Sequence, residues 1–180
     1  VVNPVNDAPV ATGEGFATDE DTDLVLNSAQ LVVNDTDIEG DSLTVIAVGN
    51  ATNGSVSLAN GEVTFSPDTD FNGTASFEYT VSDGNGGTDV ATVQVTVNPL
   101  NDAPVAEGDT LLTDEDSPLT ISASQLASND LDVDGDALVV TGVANPVNGS
   151  VVLTAGEVTF TPDPDFNGTA SFDYTVDDGN

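Results

Sequence analysis

The chain has 180 residues, of which 32 are Asp or Glu and none is Lys, Arg or His, so its formal net charge is −32. Side-chain salt bridges are therefore impossible, and nucleic acid is excluded as a partner because its binding proteins need cationic side chains. The absence of Cys excludes disulfides and thiolate metal sites. No apolar run reaches the roughly 18 residues of a transmembrane helix, so we expect no membrane insertion.

In chain order, alternating apolar and polar residues predict strands joined by Asn-Gly and Asp-Gly turns. The predicted strands of the first half lie near Val10 to Ala17 and at Asp23–Asn27, Leu43–Val48, Ser55–Leu58, Glu62–Ser66, Thr74–Ser82 and Thr88–Val97, with a short helix or turn at Ser28–Leu31. About seven strands at this spacing predict an all-β fold, a seven-stranded antiparallel β-sandwich. The aromatic side chains of Phe71, Phe77 and Tyr79 are predicted to belong to its core.

A repeat divides the chain. Asn6-Asp7-Ala8-Pro9 recurs as Asn101-Asp102-Ala103-Pro104, a shift of 95 residues that aligns the whole chain without a gap. A period this long predicts tandem domains, each with its own core. We predict a first repeat over residues 1–98, opening with the tail of a preceding unit at 1–5, and a second repeat over 99–180. The second repeat is expected to lack its last strand through truncation, with donation of that strand by another chain as the alternative.

Each repeat carries a loop with an acid at every second position and a glycine before the last acid. These acids are Asp35, Asp37, Glu39 and Asp41 in the first repeat and Asp130, Asp132, Asp134 and Asp136 in the second. In a tight loop such side chains converge, and a like-charge pair at about 4 Å costs roughly 4 kcal/mol at an effective dielectric constant of about 20. Because the protein has no cationic side chain, we predict that Ca²⁺ supplies the missing charge. The alternative is a solvated acidic turn.

These loops are not EF-hands, because the twelfth position is Thr141 in one and Ile46 in the other, where an EF-hand has a bidentate glutamate. Further ligands must therefore come from elsewhere. The candidates are two acidic triplets and the residues around the repeat junction: Asp19, Glu20, Asp21, Asp114, Glu115, Asp116, Asn6, Asp7, Asn101 and Asp102. For the triplets, the alternative is a charged edge that blocks aggregation. Other acids are predicted to be turn residues: Asp68, Asp70, Asp83, Asp163, Asp165 and Asp178.

Four segments together resemble the tandem cadherin-like repeats, often called tandem-95 or VCBS-type repeats, of large bacterial RTX-type adhesins. They are Asn101-Asp102-Ala103-Pro104, the loop Asp130–Asp136, Pro162–Thr169 and Tyr174–Gly179. The resemblance covers the whole chain and includes the repeat length. It implies Ig-like or cadherin-like sandwiches that are secreted and held end to end, with calcium at or near the junctions.

Catalysis is not expected, because without His, Cys, Lys or Arg a Ser or Thr nucleophile has no ordinary base and an oxyanion has no cationic partner. We expect calcium-stabilised spacer repeats of an extracellular surface adhesin, whose partners are neighbouring repeats of the same chain. Two alternatives remain: a filament or sheath subunit that exchanges strands between identical chains, and a carbohydrate-binding module. The latter needs exposed aromatic residues that differ between the repeats, whereas all aromatic residues of the first repeat except Phe16 recur in the second.

Overall fold

The computed structural model describes Asn3 and residues 5–180. The chain forms two compact units, one ending at Leu100 and the other running from Asn101 to Asn180. The predicted tail of a preceding unit at residues 1–5 lies largely outside the described residues.

The first unit is a two-layer sandwich of seven strands. They are β1 (Gly15–Asp19), β2 (Leu24–Asn27), β3 (Thr44–Thr52), β4 (Gly54–Ala59), β5 (Glu62–Pro67), β6 (Gly73–Ser82) and β7 (Thr88–Asn98). One sheet has the order β1-β7-β6-β3 and the other the order β2-β5-β4. The all-β sandwich prediction is therefore confirmed. The predicted helix or turn is a 3-10 helix at Ser28–Gln30, capped by the Asn27 side chain.

The pairing of β1 differs from the antiparallel prediction, because β1 runs parallel to β7, with Phe16 opposite Val95. Every other strand pair in this unit is antiparallel. Parallel neighbours need a long connection, and here nearly the whole domain lies between β1 and β7. The alternation of apolar and polar residues predicts which face of a strand is buried, but it does not predict which strand lies beside it or in which direction that strand runs.

The core of the first unit lies between the two sheets. Phe65 on β5 stacks on Phe77 of β6 at 5.8 Å between ring centroids. Phe77 and Tyr79 are completely buried, which confirms their predicted place in the core. Strand β7 lies beside β6 in the same sheet. Its alternate residues Val93, Val95 and Val97 are buried in the same core.

The second unit has five strands and a short helix. These are β8 (Leu119–Ser122), α1 (Ala123–Leu126), β9 (Val139–Val147), β10 (Gly149–Thr154), β11 (Glu157–Pro162) and β12 (Ser171–Asp177), in sheets of order β10-β11-β8 and β12-β9. Residues 110–114, which correspond to β1, form no strand. The second unit therefore lacks the counterpart of β1 in addition to the predicted last strand. The reason is that β1 of the first unit pairs only with β7, so its counterpart here has no strand beside it.

The core of the second unit repeats that of the first on a smaller scale. Phe160 stacks on Phe172 at 5.9 Å between ring centroids, as Phe65 does on Phe77. However, Phe172 and Tyr174 are only half-buried, whereas Phe77 and Tyr79 are fully buried. One side of this core is therefore open in the 101–180 unit.

Candidate metal centre

The acidic loop of the second unit brings three carboxylates together. Asp132, Asp134 and Asp136 each place one carboxylate oxygen within 4.8 Å of the others. Calcium binds oxygen ligands at about 2.3–2.6 Å, so two ligands on opposite sides of one ion are separated by about 5 Å. The spacing of this group therefore fits a calcium ion.

The second of the four acids in each loop, Asp37 or Asp132, is anchored by one carboxylate oxygen, and its other carboxylate oxygen has no hydrogen-bond partner. Asp132 Oδ1 accepts the Asp136 N–H at 3.0 Å, and Asp37 Oδ1 accepts the N–H groups of Glu39 and Asp41, each at 3.0 Å. The Oδ2 atoms of Asp37 and Asp132 are both buried without a partner. A buried carboxylate oxygen with no donor is costly unless a cation meets it, so this atom is well suited to ligate a metal.

A glycine makes the loop turn possible. Gly40 and Gly135 have φ angles of 78° and 79°, in the left-handed region that glycine adopts without steric cost. The turn lies directly before the last acid, and it folds that acid back so that its N–H meets Asp37 Oδ1 or Asp132 Oδ1.

The first acid of each loop is held by other partners. Asp35 Oδ1 accepts the Tyr79 hydroxyl at 2.9 Å and the Thr12 N–H at 2.8 Å. Asp130 Oδ1 likewise accepts the Tyr174 hydroxyl and the Glu107 N–H, both at 2.8 Å. These acids bond to the core tyrosines, and the three-carboxylate group comprises only Asp132, Asp134 and Asp136.

The tyrosine hydroxyls respond to the same contacts. Burial, followed by the hydrogen bond to Asp35, raises the pKa of Tyr79 above its ordinary value. Burial and Asp130 raise the pKa of Tyr174 in the same way. Both hydroxyls therefore stay protonated and act as donors to the carboxylates.

The junction residues of each unit contact its own acidic loop. The Asp7 N–H donates to Glu39 Oε2 at 3.3 Å, and the Asp102 N–H donates to Asp134 Oδ2 at 2.8 Å. In both units a main-chain hydrogen bond thus links the junction to the acidic loop.

The sequence prediction missed the role of the Asp-Gly-Asn turns. Asn85 donates to Asp41 Oδ2 at 2.8 Å and Asn180 to Asp136 Oδ2 at 2.7 Å. At the start of the same turns, Asp83 accepts the Asn6 side-chain amide at 2.7 Å. This bond, and then the N–H groups of Asn85 and Gly87, lower the pKa of Asp83. The signal was available, because Asp-Gly-Asn occurs at corresponding positions of both repeats.

Asp178 repeats the arrangement in the second unit. It accepts the Asn101 side-chain amide at 2.9 Å, and this bond, followed by the Asn180 N–H, lowers its pKa. Both turn acids are therefore anchored by amide donors beside the acidic loop, and Asp83 is almost fully buried.

The acidic triplet of each unit lies far from that unit's acidic loop. Asp21 Oδ1 accepts the Asp70 N–H at 3.2 Å, and Asp116 Oδ1 accepts the Asp165 N–H at 2.9 Å. In the first unit, β6 runs from this end to the acidic loop over 10 residues, a distance of roughly 30 Å. Each sandwich thus has acids at both ends, and its triplet and loop do not share one site.

The acidic triplet of the first unit also makes hydrogen bonds to the end of β7 and to Leu100, which follows it. Glu20 is buried and its carboxylate accepts the Leu100 N–H. Asp19 Oδ1 accepts the Asn98 side-chain amide at 3.1 Å. In the second unit Asp114, Glu115 and Asp116 are exposed.

Glu14 is a further acid that the sequence prediction did not select. Both of its carboxylate oxygens are buried without a hydrogen-bond partner. Burial, and then the charge of Asp35, raise the pKa of Glu14 to about 7. Glu14 is therefore only partly ionised near pH 7.

Fold and site together define a class of protein: tandem β-sandwich domains with acidic ends and clustered carboxylate oxygens, the ligand type that hard cations prefer. The family model for the cadherin-like domain matches residues 5–98 and again residues 100–180. The chain belongs to this family and contains two of its domains. Cadherin-like domains typically bind calcium and are typically extracellular. Among the described residues, no helix has the length and hydrophobicity needed to span a bilayer.

Other comparisons add no functional information. No curated protein matches the chain. Three solved structures are similar in fold. The extracellular cadherin domains 1-5 of protocadherin gamma B2 have 16% identity and a TM-score of 0.46, over 96% of this chain and 39% of that one, and the human desmocollin-1 ectodomain has 13% identity and a TM-score of 0.43, over 96% of this chain and 36% of that one. An endo-fucoidan hydrolase of glycoside hydrolase family 107 has 23% identity and a TM-score of 0.37, over 99% of this chain and 28% of that one. The chain spans less than half the length of each, and at these TM-scores the similarities carry no argument about function.

Proposed function

We propose that the two domains are calcium-stabilised spacer repeats of an extracellular adhesin, of the type found on bacterial surfaces. Their role is mechanical: each repeat binds calcium through its acidic loop and becomes a stable, protease-resistant segment of a longer stalk. We propose no catalytic role for them, since the chain has no His, Cys, Lys or Arg to activate a Ser or Thr nucleophile.

The observation that carries the proposal is the unpartnered Oδ2 atom of the second acid in each loop, present at the same position in both units. Asp37 and Asp132 each present this buried oxygen, in a chain with no positive side chain. In the second unit, Asp134 and Asp136 also place an oxygen within 4.8 Å of the Asp132 carboxylate. The side-chain atoms that these acids offer as metal ligands are all oxygens, which favours a hard cation. Carboxylate oxygens that lie up to 4.8 Å apart also suit Ca²⁺ better than Mg²⁺, which requires a compact octahedron at about 2.0–2.1 Å.

Asp132, Asp134 and Asp136 would hold the ion in the second unit, and Asp37, Glu39 and Asp41 in the first. The bound ion supplies the positive charge that offsets the repulsion among these acids. Asn85 and Asn180 keep the outer acids in place by donating to Asp41 and Asp136.

Calorimetric titration of the chain tests the proposal. We expect Ca²⁺ to bind at one site or more in each repeat, with dissociation constants near 10⁻⁴ to 10⁻³ M as in extracellular calcium modules, and Mg²⁺ to bind more weakly. The same additions should slow digestion by a protease that does not itself need calcium, and EDTA should reverse the effect. Absence of Ca²⁺ binding heat together with an unchanged digestion rate would contradict the proposal.

A further inference from the structure

The first unit holds a second group of buried carboxylate oxygens, formed by Glu14 and Asp35. Both carboxylate oxygens of Glu14 and the Oδ2 atom of Asp35 are buried without a hydrogen-bond partner. Burial, and then the charge of Asp35, raise the pKa of Glu14, so the two carboxylates lie close together. Neither residue belongs to a three-carboxylate group among the described residues, which separates this pair from the acids proposed to hold the loop ion.

The fold fixes Glu14 in this position. The Glu14 carbonyl accepts the Gln94 N–H at 2.9 Å, and this bond ties residue 14 to strand β7. Gly13 permits the close approach, because a Cβ atom at that position would collide with the Thr92 carbonyl oxygen. The Glu14 side chain is therefore held at its site by the main chain on both sides of the contact.

The Tyr79 hydroxyl adds a neutral oxygen to the pair. It donates to Asp35 Oδ1 at 2.9 Å and to the Thr12 carbonyl at 3.1 Å. Burial, then the hydrogen bond to Asp35 and then the charge of Glu14 raise its pKa, so the hydroxyl lies beside both carboxylates. A phenol that donates its proton keeps lone pairs that can contact a cation. The three side chains thus offer four oxygen atoms as ligands.

The second unit repeats these residue types at Asp109, Asp130 and Tyr174, 95 residues further along the chain. Asp130 is only 8% exposed, and its Oδ2 atom is buried without a hydrogen-bond partner. Burial, then Asp130 and then Asp109 raise the pKa of Tyr174, so both carboxylates lie near this hydroxyl. A carboxylate that is more than nine-tenths buried and has an unpaired oxygen is costly unless a cation meets it.

A proton alone does not satisfy the oxygens of the first unit. One proton on Glu14 supplies one donor, whereas three buried carboxylate oxygens lack a partner. The chain has no cationic side chain that could reach them. A divalent cation offsets both charges and can contact all of these oxygens together. Oxygen-only ligands select a hard cation, and carboxylates that bind through one or both oxygens are typical of Ca²⁺ sites.

We propose that Glu14, Asp35 and Tyr79 hold a buried Ca²⁺ ion in the first unit, separate from any ion in the acidic loop. The corresponding residues of the second unit form the same site. Because calcium takes six to eight oxygen ligands, main-chain carbonyls or water complete the shell. An ion at this place ties the segment before β1 to the start of the acidic loop and to the core, whereas an ion in the loop links only acids of the loop.

Carboxyl ¹³C spectra of the 180-residue chain, labelled in aspartate and glutamate, test the site. In calcium-free buffer at a pH above the Glu14 pKa of about 7, the Glu14 signal is identified by its absence from the Glu14→Gln variant. Saturating Ca²⁺ should shift this signal, because the carboxylate becomes a ligand. The signal of Glu62, which is exposed on β5, is the internal reference and should not move.

Calorimetric titration with Ca²⁺ gives a second measurement. Glu14→Gln should remove one bound Ca²⁺ per chain, because it takes one of the two charges from the site. Glu62→Gln, the matched control, should leave the number of bound ions unchanged. Equal numbers of bound Ca²⁺ in the parent chain and in Glu14→Gln would overturn the proposal.

The loop variant Asp37→Asn separates this site from the proposed loop site. In that variant the Glu14 signal should still shift with Ca²⁺. The proposal is overturned if Ca²⁺ leaves the Glu14 signal in place in the parent chain, or if the shift disappears in Asp37→Asn, since the loop ion then caused it. A chain in which the Glu14 signal responds and the loop aspartates do not would support this site and contradict the proposed function.

Discussion

Replacing Asp132 with Asn should raise stability without calcium and reduce the stabilisation that calcium provides. The substitution removes one charge from the group Asp132, Asp134 and Asp136 and keeps an Oδ1 atom that accepts the Asp136 N–H. The side chain changes little in size, so the effect on packing is small.

The repulsion that this substitution relieves follows from the geometry. At 4.8 Å, the upper limit of the separations in this group, two carboxylates repel by about 0.9 kcal/mol at the dielectric constant of water and by about 3.5 kcal/mol at an effective value of 20. Asp132 takes part in two such pairs. Because Asp134 is exposed, the lower figure applies, and Asp132→Asn should stabilise the calcium-free second unit by about 2 kcal/mol. For a domain of this size that corresponds to a rise in Tm of roughly 8–16 °C.

The stabilisation gained on adding calcium, here called the calcium increment, should decrease in the Asp132→Asn variant. A site with a dissociation constant of 10⁻⁴ M adds about 2.7 kcal/mol at about 10 mM Ca²⁺. A tenfold or greater loss of affinity lowers this increment to about 1.4 kcal/mol or less. In calcium, the variant and the parent chain should therefore differ in stability by less than about 1 kcal/mol, although they differ clearly in EDTA.

Calorimetric melts in 10⁻² M CaCl₂ and in EDTA measure both quantities. Glu157→Gln, which removes an exposed charge from β11 of the same unit, is the control and should leave the calcium increment unchanged. If Asp132→Asn gives no stabilisation in EDTA, or if it leaves the calcium increment intact, the electrostatic argument for the loop is wrong.

Three further predictions concern the surroundings of the loop and the core. Because the pKa of Glu14 is raised from 4.5 to about 7 in the fold, stability should fall as the pH rises from about 4.5 to 7. Glu14→Gln should remove this dependence, giving a higher Tm at pH 8 and an unchanged one near pH 4.5 in thermal melts. Tyr174→Phe removes a donor from the buried Asp130 carboxylate and should cost about 1–3 kcal/mol in denaturant unfolding; an unchanged midpoint would contradict it. Gly54→Ala places a Cβ atom 2.5 Å from the Ser66 carbonyl oxygen and should cost about 1–3 kcal/mol, whereas Gly49→Ala, with nothing within 4 Å, should not show this loss.

The strands of the first unit were predictable because each has one buried face. Thr74–Ser82 was predicted and Gly73–Ser82 is observed, since alternating Phe, Tyr and Val positions leave no other register. The prediction failed where a strand depends on a distant neighbour. Residues 110–114 of the second unit have a sequence similar to β1, but their state is decided by the partner strand and not by their own pattern.

The acidic loops were predictable from spacing, but the directions of individual side chains were not. Asp130 and Asp132 are equivalent in a pattern of alternate acids, yet Asp130 bonds to Tyr174 and Asp132 belongs to the three-carboxylate group. The tyrosine is 44 residues away in the chain, and only the fold brings it to the loop. Asn180 was missed for the same reason, because its contact with Asp136 also spans 44 residues.

The tyrosine contacts give the acidic loop a fixed position before any ion binds. In the second unit the Tyr174 hydroxyl holds Asp130 at the start of the loop, while Asn180 holds Asp136 at its end. A loop fixed at both ends cannot spread its middle acids apart to relieve their repulsion, so that cost remains in the calcium-free fold. Under the proposed function, calcium binding removes a cost that is already present and orders little additional chain, so little of its binding free energy is lost to ordering.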